Sequence, residues 1–184
     1  MPDDRNALAA APAGMEPEFR GAMRRLASSV AIIALRDGVL RGMTVTSLVS
    51  VTMEPPTILV CINRSASIHP HLQPMRRISV NLLAAGQADV AAAFAGKVPP
   101  EDRFRCGVWR EREGTPILEG AQANLLCTIT ALSPVGSHTI VLAAVEQVTV
   151  SGVANPLVYC NGRYHVLADG VLPVQAAGVR ESVA

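Results

Sequence analysis

The stretch from Gly42 to Ser67 reads GMTVTSLVSVTMEPPTILVCINRSAS and places several hydroxyl side chains in an otherwise apolar segment. It passes through Glu54-Pro55-Pro56, continues as the apolar run 57–62 and ends in a polar turn at 63–67. A buried hydroxyl without a partner costs about 1–3 kcal/mol, so these groups are satisfied within the protein or offered to a polar ligand. Because β-branched residues favour strands, a threonine-rich strand followed by a turn is the simplest structural interpretation.

The same stretch resembles the signature of the short-chain flavin reductase family, small reductases that supply reduced flavin to two-component monooxygenases. In that signature, Gly-Met-Thr-x-x-Ser-φ-x-Ser-Val precedes an acidic residue, Pro-Pro, an apolar strand and a polar turn. The counterparts here are Gly42, Met43, Thr44, Ser47, Leu48, Ser50, Val51, Glu54, Pro55, Pro56 and Asn63. Further matches are Asn81-Leu82-Leu83, Gln87, Phe94, Gly136–Ile140, Pro156-Leu157, Tyr159 and Gly162-Arg163-Tyr164. The resemblance covers about residues 18–167, and the ordered set is more specific than any one match.

The composition favours a single domain built on a sheet. The chain has 184 residues, of which 49% are hydrophobic and only 3% are aromatic. This length can bury a sizeable core, and Val and Ile recur in short runs instead of at helical intervals. We expect residues 1–15 to form a disordered tail, residues 16–167 the domain and residues 168–184 a loose tail.

Apolar runs separated by turn signals predict strands, with hairpins at Asp37-Gly38 and Asn161-Gly162. The predicted strands are Val30–Leu35, Val39–Thr46, Thr57–Ile62, Ile78–Leu83, Leu125–Leu132, Thr139–Val150, Leu157–Cys160 and Arg163–Leu167. The predicted helices are Glu16–Ser29 and Gln87–Ala95, and Lys97–Glu113 is expected to be a surface excursion. This pattern predicts a mainly β fold, a closed antiparallel barrel of six to seven strands with a few short helices. The resemblance implies the FMN-binding split β-barrel.

The strand Thr139–Val150 is apolar on both faces over much of its length. An ordinary antiparallel strand alternates because one of its faces meets water. Something must therefore cover the outer face as well, and a second copy of the chain is the simplest cover. The sequence thus predicts a homodimer.

Charge and cysteine usage exclude several classes of protein. With 16 basic and 15 acidic residues and no basic block, we expect no nucleic-acid partner. No run approaches the roughly 20 apolar residues that span a bilayer, so no membrane partner is expected. Four scattered cysteines and an N-terminus carrying Asp3 and Asp4 predict reduced thiols in the cytoplasm. His69 and His71 lack further ligands nearby, so no metal site is predicted.

A flavin needs a dry slot for its ring, hydrogen bonds along its polar edge, and compensation for its phosphate charge. For the phosphate, the sequence leaves open Arg64, the amides that begin a short helix after Ser67, and an arginine from elsewhere. The resemblance implies a wider set of flavin-binding residues. They are Thr44, Val45, Thr46, Ser47, Ser50, Cys61, Ile62, Asn63, Ser65, Ser67, Asn81, Leu82 and Leu83.

The resemblance makes His138 the catalytic residue on the nicotinamide side, where Arg163 and Tyr164 would close over the substrate. The family usually has Gly-Asp-His at this position, whereas Ser137 replaces the aspartate here. A charged partner that orients the imidazole is therefore missing. A histidine at the start of a strand is otherwise commonly a surface or capped residue.

The resemblance implies an NAD(P)H:flavin oxidoreductase. Hydride from NADH or NADPH would reduce FMN or FAD, and the reduced flavin would leave for a flavin-dependent monooxygenase. The chain has no G-x-G-x-x-G and no P-loop, so the nicotinamide would bind as a passing substrate. Two alternatives remain open: a non-catalytic flavin-binding split-barrel protein, which Ser137 would favour, and a scaffold barrel without a cofactor.

Overall fold

The computed structural model describes residue 12, residues 14–152 and residues 154–167. Residues 1–11 and 168–184, which belong to the two predicted tails, lie outside the described residues. The helices are α1 (Met15–Met23) and α2 (Ala88–Ala92), with short helical turns at His69–His71, Ala85–Gln87, Ala93–Lys97 and Arg103–Arg105. The strands are β1 (Ser28–Ser29), β2 (Ala31–Asp37), β3 (Val39–Val45), β4 (Leu48–Met53), β5 (Pro56–Asn63), β6 (Arg77–Leu82), β7 (Trp109–Arg112), β8 (Thr115–Leu118), β9 (Ala123–Val135), β10 (His138–Val150), β11 (Leu157–Cys160) and β12 (Arg163–Val166).

The central sheet contains seven antiparallel strands in the order β3-β2-β6-β9-β10-β5-β4. Strands β1, β11 and β12 form a small second sheet, and β7 pairs with β8. The prediction of a mainly β, antiparallel fold is therefore confirmed. Closure into a barrel is not confirmed, because the end strands β3 and β4 do not pair with each other in the described part of the chain.

The gap between β3 and β4 has a local cause at Ser47. The Ser47 hydroxyl donates to the Cys61 carbonyl oxygen (3.0 Å) and accepts from the Cys61 N–H (3.2 Å). These bonds draw the chain away from β3 and onto β5, where Leu48 pairs with Val60. As a consequence, no strand among the described residues pairs with the outer edge of β3.

Strand β2 is buried on both faces and separates two apolar clusters. Its odd-numbered residues from Ala31 to Leu35 pack in a core with β5, β6, β9 and β10. The even-numbered residues from Val30 to Ala34 pack on the opposite side against Phe94, Leu118 and Leu157. This second cluster fixes the position of α2 and of the segment that follows it.

The predicted helix Glu16–Ser29 is too long. Helix α1 ends at Met23 because Ser28 and Ser29 pair with Tyr159 and Val158 of β11. Helix α1 buries none of its residues, and Phe19 is 61% exposed. No helix in residues 14–152 or 154–167 is long and apolar enough to cross a membrane.

The predicted surface excursion Lys97–Glu113 is instead partly packed. The ring of Phe94 lies 5.0 Å from that of Phe104 and 5.3 Å from that of Trp109, between centroids. Trp109 Nε1 donates to the Cys106 carbonyl oxygen (2.9 Å). The sequence pattern missed this packing because three isolated aromatics have no strand or helix period.

Candidate functional site

The free edge of β3 offers backbone hydrogen-bonding groups to a ligand. The Gly42 carbonyl oxygen points to this edge, where it accepts a bond from Arg103 Nη1 (3.0 Å). In an antiparallel strand, the N–H and C=O groups of one residue face the same side, and alternate residues share that side. The backbone groups of Thr44 therefore face the same edge as those of Gly42.

A cavity of about 550 Å³, called here the central cavity, lies along this edge. Its volume falls within the range usual for small-molecule sites. Six residues predicted as flavin or nicotinamide contacts line it: Thr44, Val45, Thr46, Ser65, Ser67 and Tyr164. No site role was predicted for the other residues that line it, which are Met43, Ala66, Phe94, Ala95, Pro100, Arg103 and Tyr159.

Arg103 is the cation of the central cavity. Its Nε donates to the Val98 carbonyl oxygen (3.2 Å) and its Nη1 to that of Gly42, so the guanidinium is held in place. Burial lowers the pKa of Arg103, and the nearby Glu101 carboxylate opposes this effect. Arginine nevertheless stays protonated at neutral pH. A fixed, partly desolvated guanidinium is suited to an anionic oxygen.

The turn after β5 presents the serines of the central cavity. The Asn63 side-chain oxygen accepts bonds from the Ser65 N–H (2.9 Å) and the Ser65 hydroxyl (2.8 Å). This is the local bonding by which asparagine stabilises turns. Asn63 therefore positions Ser65 and does not itself line the cavity.

Two of the hydroxyls in the signature are used within the protein. Thr44 Oγ1 donates to the Ala91 carbonyl oxygen (2.7 Å), which ties β3 to α2. The Ser47 hydroxyl bonds the backbone of Cys61. Both therefore stabilise the edge of the site, and the polar contacts open to a ligand there come mainly from backbone.

A second cavity of about 740 Å³, called here the histidine cavity, meets the central cavity at Thr46 and Tyr159. Ser47, Cys61 and His138 line it, together with apolar residues of α1. In the pairing of β10 with β5, His138 lies opposite Asn63. The predicted catalytic residue thus shares a cavity with the predicted flavin-binding residues Thr46, Ser47 and Cys61, and not with those that line only the central cavity.

Ser137 contacts the imidazole that it precedes. Its Oγ lies 2.9 Å from His138 Nδ1, a hydrogen bond whose direction depends on the tautomer. Alternation along a strand would separate neighbouring side chains, but Ser137 belongs to the turn before β10. A neutral hydroxyl therefore occupies the position from which the usual aspartate would orient the ring.

Several predicted site residues lie outside both cavities. Ile62 and Asn81 are fully buried and Leu83 is almost so, while Leu82 packs against the first core cluster. Ser50 lies on β4, and Arg163 is exposed on β12. A direct ligand contact for these six residues remains a prediction.

The Asn81 side chain is used entirely within the core. Its Nδ2 donates to the Ile32 carbonyl oxygen (3.1 Å), and its Oδ1 accepts from the Leu118 N–H (2.9 Å) and Asn124 Nδ2 (2.8 Å). The structure therefore gives Asn81 a fold-supporting role that the resemblance does not imply.

The two histidines flanking Pro70 have separate partners. His71 Nδ1 lies 2.7 Å from Asp37 Oδ2, and His69 Nε2 lies 2.8 Å from Thr139 Oγ1. Among the described residues, no cluster of three or more His, Cys, Asp or Glu side chains could hold a metal ion.

The fold and groove define a mainly β protein that can hold a flat, polar-edged anionic ligand next to a histidine. The family model described as flavin reductase like domain matches residues 23–168. The chain belongs to this family. The donors of the groove fit a flavin, since they combine a backbone edge, aromatic walls and a fixed guanidinium.

Named relatives agree with this membership. The chain is 40% identical over 158 residues to the reductase component of the FADH(2)-dependent resorcinol hydroxylase of Rhizobium sp., covering 84% of this chain and 88% of that protein. It is 37% identical over 164 residues to the FMN reductase (NADH) RutF of Variovorax paradoxus, covering 85% and 91%. The structure of the Streptomyces globisporus NADH:FAD oxidoreductase SgcE6 in complex with NAD and FAD fragments superposes with a TM-score of 0.80 at 28% identity, covering 89% and 99%.

Proposed function

We propose that the chain is an NADH-dependent flavin reductase whose reduced flavin is used by a separate flavin-dependent monooxygenase. The observation that carries this proposal is the groove along the free edge of β3, which joins Arg103, the Thr44 backbone and the histidine cavity. The relatives compared are named as reductases or reductase components. They give no support to a non-catalytic flavin-binding protein.

The central cavity would hold the flavin. Thr44 and Thr46 would bond the polar edge of the ring through their backbone, and Phe94 and Tyr164 would supply apolar walls. Arg103 would compensate the phosphate charge, which assigns that role to an arginine outside the signature. When bound, the flavin supplies the ring that accepts hydride, while the chain supplies binding, orientation and exclusion of water.

The histidine cavity would hold the nicotinamide. Because it meets the central cavity at Thr46 and Tyr159, the two ring sites adjoin, and proximity is the main demand of hydride transfer. Ser137 would orient the His138 ring toward the substrate. Burial and the neighbouring Tyr159 raise the pKa of Tyr164, so its phenol stays neutral and can donate a hydrogen bond.

We further propose a homodimer that covers the outer face of β4, β5 and β10. The strand registers align Val49, Leu59 and Leu142 in one row, and Val49 is 54% exposed. An apolar row that is exposed at Val49 and half-buried at Leu59 and Leu142 fits a partner surface better than water. A cytoplasmic location belongs to the same proposal, and the four free cysteines support it.

The test is a steady-state assay that crosses NADH and NADPH with FMN and FAD. Purified protein should oxidise NADH only when flavin is added, with a smaller rate for NADPH. No flavin-dependent oxidation in any of the four combinations would reject the enzyme.

A charge variant tests the binding site itself. Arg103→Met should raise the flavin Kd about tenfold or more, since it removes a charge-assisted hydrogen bond, and Arg103→Lys should recover part of the affinity. Arg105→Met is the matched control because Arg105 lies in the same helical turn and is 83% exposed. Equal flavin affinity in the Arg103→Met and Arg105→Met variants would contradict the assignment.

A further inference from the structure

A third cavity continues the groove on the side away from His138. This distal cavity has a volume of about 420 Å³ and lies beside the first half of β3, from Val39 to Gly42. It shares Ser67 and Pro100 with the central cavity. The central cavity therefore lies between the distal cavity and the histidine cavity along the edge of β3.

One of the residues that line the distal cavity is an arginine, Arg41. Arg41 Nε is buried and makes no hydrogen bond to any described group. A buried N–H without an acceptor is costly, so a shift of the Arg41 side chain that places this N–H against a ligand oxygen would be favourable. Arginine also prefers phosphate oxygens and stacks on flat aromatic rings.

Other residues of the distal cavity complement a nucleoside. The Glu101 carboxylate can accept hydrogen bonds from sugar hydroxyls. Leu40 and Phe104 supply apolar surface for a base, and Phe104 is held by its contacts with Phe94 and Trp109. A cation, an acceptor for hydroxyls and an apolar wall together match phosphate, ribose and purine.

We propose that the distal cavity binds the adenosine monophosphate half of FAD, with Arg41 on its phosphate. This inference rests on the proposed function, because the flavin half must occupy the central cavity with its phosphate near Arg103. The adenosine half of FAD continues from that phosphate toward Ser67 and Pro100, whereas FMN ends there. NADH carries the same adenosine phosphate, but its nicotinamide must reach the histidine cavity at the opposite end of the groove.

The experiment compares FAD and FMN binding to the full-length chain and to Arg41→Met, Arg41→Lys and Arg105→Met variants, by flavin fluorescence. Arg41→Met should raise the FAD Kd about tenfold and leave the FMN Kd at its wild-type value, which also shows that the variant folds. Arg41→Lys should lie in between, and Arg105→Met should change neither constant. AMP should compete with FAD and not with FMN.

Other outcomes would overturn the assignment. If Arg41→Met changes the FAD Kd and the FMN Kd by the same factor, or changes neither, Arg41 does not belong to an adenosine site. A raised KM for NADH with FMN as acceptor, at an unchanged FAD Kd, would assign the cavity to NADH instead of FAD. Failure of the wild-type chain to bind FMN would refute the proposed function itself. In that case, calorimetric titration of AMP into the wild-type chain and into the Arg41→Met variant still tests the distal cavity. Equal binding heats for the two proteins would refute an adenosine site that includes Arg41.

Discussion

Replacing Gly42 by alanine should destabilise the protein and disturb the central cavity at the same time. A Cβ atom built at Gly42 would lie 2.7 Å from Phe94 Cε1, 3.0 Å from Phe94 Cδ1 and 3.2 Å from the Ile33 carbonyl oxygen. Carbon atoms prefer separations of about 3.5–4.0 Å. The first glycine of the signature is therefore required by the close approach of a buried aromatic ring.

The size of the effect depends on whether Phe94 can move. Its ring is 2% exposed and packs against both Phe104 and Trp109, and the opposite contact is the backbone of Ile33. Overpacking a filled core costs about 1–3 kcal/mol. We expect the upper half of this range, about 2–3 kcal/mol, which corresponds to a fall in Tm of about 4–12 °C for a domain of this size.

Urea and thermal unfolding of the Gly42→Ala variant would measure this loss, and flavin titration would report the displaced cavity wall. Gly21→Ala is the matched control because its added methyl meets nothing within 4 Å on α1. A double variant with Phe94→Ala should make the Gly42→Ala change nearly neutral, since the two residues are coupled through one contact. Additive losses, or a Gly42→Ala loss below about 0.5 kcal/mol, would refute the reasoning.

Three further predictions address the core and the titrating groups. The hydrogen bond from His71 lowers the pKa of Asp37 below its ordinary value of 3.8. This contribution to stability is fully present above pH 3.8 and is lost as the pH falls through the lowered pKa. Asp37→Asn should therefore reduce the urea midpoint of unfolding at neutral pH but not in strong acid. An equal reduction at the two pH values would contradict this role of the Asp37 carboxylate. Asn81→Leu should lower the free energy of unfolding by about 2–4 kcal/mol, because it leaves the Leu118 N–H unpaired, and should leave the FMN affinity unchanged. A loss of FMN affinity without a loss of stability would instead support a direct contact between Asn81 and the flavin. Burial and the charge of Glu146 raise the pKa of Cys127 to about 12, so Ellman's reagent at neutral pH should modify this thiol last, and rapid labelling that disappears in Cys127→Ser would refute the prediction.

Local rules explain why the strands and the signature could be predicted. Turn residues such as Asp37-Gly38 and Asn161-Gly162 specify hairpins from a few neighbouring atoms, and both hairpins are observed. Gly96, which directly follows the predicted helix Gln87–Ala95, has a positive φ of 113°, a conformation that favours glycine at a helix end. The predicted strand Val30–Leu35 is observed as β2 with a shift of one or two residues at its ends, and its two faces pack into different clusters.

The composition of the site could not be predicted in the same way. Arg103, Phe94 and Tyr159 come from three distant segments and meet only because α2, its following loop and β11 pack around the edge of β3. The hydrogen bonds that hold the Asn81 side chain in the core come from residues far away in the sequence, and no local pattern indicated them.

The sequence by itself determined the strand pattern, the hairpins and the family signature, because each depends on the conformational preferences of adjacent residues. Only the tertiary structure decided that β3 ends the central sheet, and with it where the groove lies. An unpaired strand edge is a property of which strands meet, and that depends on contacts between residues far apart in the chain. The position of Arg103 and the three connected cavities follow from that arrangement.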